Sequence, residues 1–342
     1  MKWWYKGYEI EELRKVVEFN NIKHEWQQTV TPSIYNLTHT YEWFYSTWKS
    51  QTGYKNVRAV TIRKENRLIS VMHLIFDLDY KEKTEIQVTI PTSITPFFAA
   101  FDRDSIVDCL LHYLDKQLSN WNVLQFEEFD FSFPETEALI SSGERAGLYV
   151  DVKKTFETPV LRFEGTFEEY YLERKKRIRK AVGNKLNTLR QISDFRVKFY
   201  SDVNEIQGGI DRIQEVDCMS WKFNEQSDMA SRPGQFIFYE TWAQELAKRG
   251  NIILAVLELV ETGEPIAFEY IVTYADKFIT PKRSYKQSFH KFSPGVILRY
   301  EILKNLLGKK FRVLDSWGKK DEFKMIWSTE IAERYTVSFK KL

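Results

Sequence analysis

The sequence predicts an α/β (α+β) protein of two domains, and three observations carry that expectation. The chain has 342 residues, more than one compact domain ordinarily holds. Apolar residues make up 43% and aromatics 15%, enough for full cores with rings left over to line clefts. Stretches of helical and strand period alternate through both halves in one order: helix, hairpin strands, loop, helix, strand, short helix, strand. The repeat is architectural and brings no sequence identity. The expected domains are 1–160 and 161–342, each a mixed, mostly antiparallel sheet flanked by helices.

In the first half, Ser33–Gln51 reads as a helix, with Leu37, Tyr41, Phe44, Tyr45 and Trp48 at three- and four-residue steps. Asn56–Ile62 and Leu68–Asp77 are two strands around the charged turn Arg63–Arg67, and Glu85–Ile90 is a strand stopped by Pro91. Asp104–Leu118 is a helix capped by Asp104 or Ser105. Val123–Glu128 is a strand, Glu135–Ala146 a helix ending at Gly147, and Val150–Phe163 is strand-rich.

The second half opens with one long helix, Phe167–Gln191. Thr166 and Glu169 form its capping box. Its start is acidic and its continuation basic, which suits the helix dipole. Phe195–Tyr200 follows as a strand, Glu205–Cys218 as a helix, and Gln235–Arg249 as a helix ending at Gly250. Ile252–Val260 and Ile266–Tyr274 are strands joined through Glu261–Pro265 as a hairpin. Lys277–Tyr285 is a strand, Val296–Leu307 a helix and Arg312–Asp315 a strand, before a final helix and a strand at Tyr335–Phe339.

Composition removes several functional classes. Fifty basic residues against 48 acidic leave a net charge of +2, so no global polyanion signal exists. Two cysteines, Cys109 and Cys218, cannot build a disulfide framework or a zinc site. The histidines have no metal-ligand spacing. No segment approaches roughly 18 consecutive apolar residues, and the N-terminal stretch is broken by Lys6, Glu9, Glu11 and Glu12. A soluble, cytoplasmic protein without a membrane span is expected. A Walker loop, a dinucleotide glycine fingerprint and a Gly-x-Ser-x-Gly elbow are all lacking.

The stretch richest in chemical information is Tyr285–Asn305. A strand meets the turn Ser293-Pro294-Gly295, and an apolar helix begins at Val296 directly behind it. Such a turn can present helix N-terminal amides to an anion, typically phosphate, or simply start a helix at proline. Around it lie Glu269 in an apolar strand, Tyr285, and Asp315 at a strand end. Glu269 facing inward would carry a raised pKa, as a base should; facing outward it is a solvated residue of an alternating strand. Asp315 lines a cleft or caps the next turn. Arg174–Arg190 is rich in cations and holds no acid, which fits a solvated face or contact with a polyanion.

These segments, in this order, resemble the FemAB-like branch of the GNAT superfamily. The likeness is to the double-domain acetyltransferases associated with bacterial cellulose and exopolysaccharide biosynthesis. It rests on Glu42-Trp43-Phe44 with Trp48, and on Ser119-Asn-Trp121-Asn-Val-Leu124. It continues through the basic helix, Ser220-Trp221-Lys222, Gly263-Glu-Pro-Ile-Ala267, Ser293-Pro294-Gly295, and Asp315-Ser-Trp-Gly318 with Lys324.

The resemblance implies two tandem GNAT-like domains, the first degenerate, and N-acyl transfer from an activated ester or thioester to an amine of a sugar, amino acid or peptide. The donor it implies is acyl-CoA, held at Ser293, Pro294, Gly295 and Val296. Glu269, Tyr285 and Asp315 would be catalytic, and Trp221, Lys222 and Lys324 would bind substrate. No metal and no permanently bound cofactor are expected. The chain departs from standard GNAT enzymes in lacking the Gln/Arg-x-x-Gly-x-Gly/Ala pyrophosphate loop. Fem-type relatives use aminoacyl-tRNA as donor, so the Arg174–Arg190 helix keeps tRNA open as partner, as it does an acyl carrier protein. The third reading is a non-catalytic binding module.

Overall fold

The structure is a computed structural model that describes residues 2–30, 37–50, 57–77, 86–90, 103–117, 121–129, 134–226, 228–232 and 234–341. The chain forms two compact units, 1–156 with 333–342, and 157–332. The first holds strands β1 (Lys2–Tyr5), β2 (Tyr8–Leu13), β3 (Val57–Lys64), β4 (Arg67–Asp77), β5 (Ile86–Ile90) and β6 (Trp121–Phe129). Its helices are α1 (Val16–Asn21), α2 (Lys23–Thr29), α3 (Tyr41–Lys49), α4 (Arg103–Gln117) and α5 (Pro134–Arg145), and β7 (Tyr149–Arg162) starts in it. Strand β5 pairs parallel with β6, and the pairs from β1 to β5 are antiparallel. Ile62, Met72, Leu110, Trp121 and Phe126 fill one core; Trp26, Phe44 and Val71 fill a second.

The second unit repeats the plan. Helices α6 (Phe167–Glu173) and α7 (Lys176–Arg190) lead to β8 (Phe195–Tyr200), α8 (Ile206–Cys218), α9 (Trp221–Asn224) and α10 (Gln235–Ala247). Then come β9 (Ile252–Leu259), β10 (Pro265–Tyr274), β11 (Lys277–Tyr285), α11 (Pro294–Leu306), β12 (Val313–Asp315), α12 (Glu322–Trp327) and β13 (Glu330–Lys340). Strands β8 to β11 form an antiparallel meander, and β11 pairs parallel with β12. Every residue of β10 is buried, as a central strand covered on both faces requires. Its core joins Leu257, Ile271, Ile297, Ile302 and Trp327.

The sheets are completed by exchange. The end of β7 (Val160–Arg162) pairs with β12 in the second unit, while Tyr335–Lys340 of β13 pair with β6 in the first. Val337 and Phe339 are core residues of that first unit. The last ten residues therefore depart from the expected 161–342 division, because their alternating apolar face is buried against β6.

The predicted strands and most helices appear within a few residues of their expected bounds. Residues 33–36 and 51 of the first predicted helix lie outside the described residues, and the rest begins as a short 3₁₀ turn, Leu37–His39, before α3. The opening hairpin β1–β2 and helices α1 and α2 were not predicted, because charged residues interrupt their period. One expectation is overturned: 167–191 is two helices. The capping box of Thr166 and Glu169 starts α6. Arg174 then adopts extended backbone, its Nη1 donating to the Ser328 carbonyl at 2.8 Å and its guanidinium lying over Tyr170. Helix α7 consequently opens on Lys176 and Arg177 with no acid in its first turn. That places cations where the dipole disfavours them.

Among the described residues no helix is long and apolar enough to cross a membrane. Gly308, just past α11, has φ +75°, and a Cβ there would stand 2.3 Å from the Gly165 carbonyl oxygen. Gly263 also has positive φ but nothing within 4 Å. Gly308→Ala should therefore cost more than about 2 kcal/mol and Gly263→Ala about 1. Urea unfolding of both variants checks the difference; equal losses would remove the packing argument.

Candidate active site

A cleft of about 860 Å³ opens in the second unit where β11 and β12 part. Their register runs only from Lys277–Val313 to Ile279–Asp315. Beyond it β11 continues to Tyr285, while β12 ends in a turn. Asp315 sets that turn: its Oδ1 accepts from the Trp317 N–H at 2.7 Å, and Trp317 and Gly318 take left-handed φ of +37° and +73°. Lys324 holds the loop from below, its Nζ donating to the carbonyls of Trp317 and Lys319, each at 2.6 Å.

The floor is a buried charge assembly. Arg299 of α11 donates through Nε to both oxygens of Glu269 on β10 at 2.9 Å and through Nη2 to Oε2 at 2.8 Å. Both residues are almost wholly buried. Nη2 also reaches Thr280 Oγ1 at 3.2 Å. Phe323 of α12 lies beneath two guanidinium groups, Arg283 at 4.4 Å and Arg299 at 5.4 Å from its ring centre. Arg283 pairs with Asp321 at 2.8 Å, and Asp321 also caps α12.

One wall is basic. Lys282 and Arg283 come from β11, and Lys222 of α9 donates to the Arg283 carbonyl. Burial draws the Lys222 ammonium down to about 8, and the like charges of Lys282 and Arg283 add to it while Asp217 opposes. Lys324 is drawn to about 8 by burial too, with Arg283 adding and Asp321 and Asp315 opposing. Burial likewise lowers Lys282 and Arg283, the latter with help from Arg299.

The opposite end is the start of α11. Ser293, its N-cap, has φ +50°, and its hydroxyl accepts from Lys185 Nζ of α7 at 2.5 Å. Pro294 has no N–H. The Val296 and Ile297 amides turn back to the Ser293 carbonyl at 2.9 and 3.4 Å. The Gly295 amide makes no hydrogen bond with any described residue. Fewer amides are thus available than a free helix start would offer, and Val296 serves the helix itself.

Ten side chains were singled out from sequence. Trp221, Lys222, Glu269, Tyr285, Ser293, Gly295, Val296 and Lys324 line this one cleft. Pro294 is buried at the helix start. Asp315 is buried and caps the turn, the second of its two sequence readings. Glu269 does face inward, but the expectation of a free base meets a correction: both its oxygens accept from Arg299. Sequence reasoning missed Arg299, Arg283, Lys282, Lys185 and Phe323. The signal for Arg299 was present as a lone cation in an apolar helix face, and for the β11 wall as the run Lys282-Arg283 inside a strand.

Residues 176–325, from α7 into α12, match the family described as acetyltransferase (GNAT) domain. FemX shares the fold with a TM-score of 0.61 at 11% identity, over 96% of each chain. The C-terminal domain of a putative lysylphosphatidylglycerol synthetase from Agrobacterium fabrum matches at 0.58 and 9% identity, over 95% of this chain and 93% of that one. A tandem GNAT protein from the clavulanic acid biosynthesis pathway matches at 0.50 and 9% identity, over 97% and 99%. No curated protein sequence matches the chain. The match to the GNAT-domain model thus falls within the second unit, and the chain shares its fold with FemX and with a tandem GNAT protein.

Removing one partner of a buried ion pair leaves a desolvated charge. Glu269→Leu or Arg299→Met alone should each cost about 3–5 kcal/mol. Glu269→Leu with Arg299→Met together should cost clearly less than the two single losses added. A double-mutant cycle in urea reads the coupling, and strict additivity would show the pair to be inert.

Proposed function

We propose that the second unit is an N-acyltransferase that moves an acyl group from an activated thioester or ester, an acyl-CoA, to the amine of a sugar, amino acid or peptide. The observation that carries the reading is the meeting, in one cleft of a GNAT domain, of the α11 start, the parted β11 edge and a lysine poised near neutrality.

Aminolysis forms a C–N bond, breaks the C–S or C–O bond, and moves one proton from amine to leaving group. Lys324 suits the proton step. Two of its N–H bonds are committed to the Trp317 and Lys319 carbonyls. In the neutral form the third direction is a lone pair, able to take the proton of an arriving ammonium. Tyr285, lining the same cleft, has the phenol to protonate a leaving thiolate. Glu269 is a positioning residue in this scheme, because it acts through Arg299.

Donor phosphates would be received at the start of α11. Gly295 supports this. Its φ is not positive, and a Cβ would stand an ordinary 3.8 Å from Phe323 and Tyr285. Neither backbone nor packing demands glycine, so the space it leaves favours close approach of a ligand. Lys185 adds a half-buried ammonium beside Ser293, drawn below its ordinary pKa by burial. The cradle therefore relies on one amide and one cation in place of a multi-glycine loop.

Acetyl-CoA should bind the full chain by calorimetry, and Gly295→Asp should weaken binding more than tenfold by adding a side chain and a negative charge. No binding of any acyl-CoA would sink this donor. With a neutral Lys324 required, kcat/KM should fall as pH drops below about 8 and level off above it. Lys324→Met should flatten that limb and cut kcat by about 10²–10⁴-fold. An unchanged pH profile in the variant assigns the proton step elsewhere.

A second reading, an aminoacyl-tRNA donor, is favoured by one observation: α7 opens with Lys175, Lys176, Arg177 and Arg179 against its own dipole. A phosphate backbone would relieve that placement. On this reading tRNA binding is steeply salt-dependent and collapses when those four residues are neutralised. Salt-insensitive or undetectable binding discards it.

A further inference from the structure

One cation of the basic wall, Lys282, lacks among the described residues the carboxylate partner that the neighbouring arginines have. Arg299 is matched by Glu269, and Arg283 by Asp321. Lys282 has no carboxylate within ion-pair distance among the described residues. Its Nζ rests on the neutral Gln235 side-chain oxygen at 3.0 Å, with the Tyr239 ring 5.6 Å away. Lys222 lines the same cleft and feels the charge of Lys282. Asp228 also acts on Lys282, while Asp217, a buried acid, acts on both lysines. Its Oδ2 accepts from the Met229 amide at 2.6 Å, and its Oδ1 is buried without a partner among the described residues.

Crowded, partly desolvated like charges are unfavourable unless a counter-charge arrives. A structural role would have placed a carboxylate there, as it does at Glu269 and Asp321. The elements also separate this charge from the donor end. Lys282 packs on residues of α10 and Lys222 belongs to α9, while the donor phosphates have their own cation, Lys185, at α11. Trp221, partly exposed, borders the same wall.

We propose that Lys222, Lys282 and Arg283 form an anion subsite on the acceptor side of the cleft, so that the molecule whose amine is acylated also carries a carboxylate or phosphate group. This rests on the acyl-transfer reading for the words acceptor and amine; the anion subsite itself is testable without transfer.

The test uses matched amines with the full chain. Glucosamine 6-phosphate is set against glucosamine, and alanine against alaninamide. Binding is followed by ligand-observed NMR and transfer by thiol release from acetyl-CoA. The acid-bearing member of at least one pair should bind about tenfold or more tighter, as a charge-assisted contact allows. The same preference should appear in KM, with kcat little changed. Lys282→Gln should erase the preference and Lys282→Arg should restore much of it, while Lys185→Gln leaves it in place.

The phosphate and carboxylate arms identify which acid is read. Equal binding within both pairs overturns the subsite, as does a preference that survives Lys282→Gln. Acid-selective binding lost in Lys282→Gln without any thiol release upholds the subsite and counts against acyl transfer, so the two failures are told apart.

Discussion

The bidentate pair of Arg299 and Glu269 is the constraint on which the site depends. It joins the middle of α11 to the central strand β10 across the buried core of the second unit. Two fully buried charges are costly to desolvate, and the geometry must be good to offset that cost. Here the guanidinium makes three contacts to the carboxylate and one to Thr280, with Phe323 facing it from α12. Since α11 brings Ser293 and Gly295 to the cleft and α12 brings Lys324, the pair sets two cleft-lining elements against one strand. A hydrophobic substitute could be as stable, but it would not impose one angular setting on all three.

The opening of the cleft has a separate cause. Strands β11 and β12 part because β12 is stopped, and it is stopped by Asp315 binding its own chain two residues on. The left-handed turn that follows exposes two carbonyls, and Lys324 satisfies both. The same lysine is thereby aimed and partly desolvated. Its lowered pKa follows from burial beside Arg283, so the side chain that closes the turn is also the one whose ammonium is drawn down to about 8.

Much of this was legible in the chain. The strand order, the hairpin at Gly263 and the helix behind Ser293-Pro294-Gly295 follow from local period and turn chemistry. Eight of the ten chosen side chains line one cleft because the turn and the strand ends they mark are brought together by sheet topology. The rest depends on tertiary partners. Nothing local announces that Glu269 is answered by Arg299 thirty residues later, or that Ser328 draws Arg174 out of a helix whose propensity continues. The exchange of β7 and β13 is also non-local, since both strands carry the same alternating pattern wherever they pair.

That break at Arg174 changes how the charge on α7 is understood. In one continuous helix the acidic start and basic middle would agree with the dipole, and the cations would need no further account. With α7 starting at Lys176, four cations crowd the positive end of a helix that lacks a capping side chain. The lost fraction of a kilocalorie per charge is not recovered by any acid in that turn. Lys185 of the same helix reaches Ser293 at the mouth of the cleft. One basic helix thus runs from an exposed cationic end to the turn that starts α11.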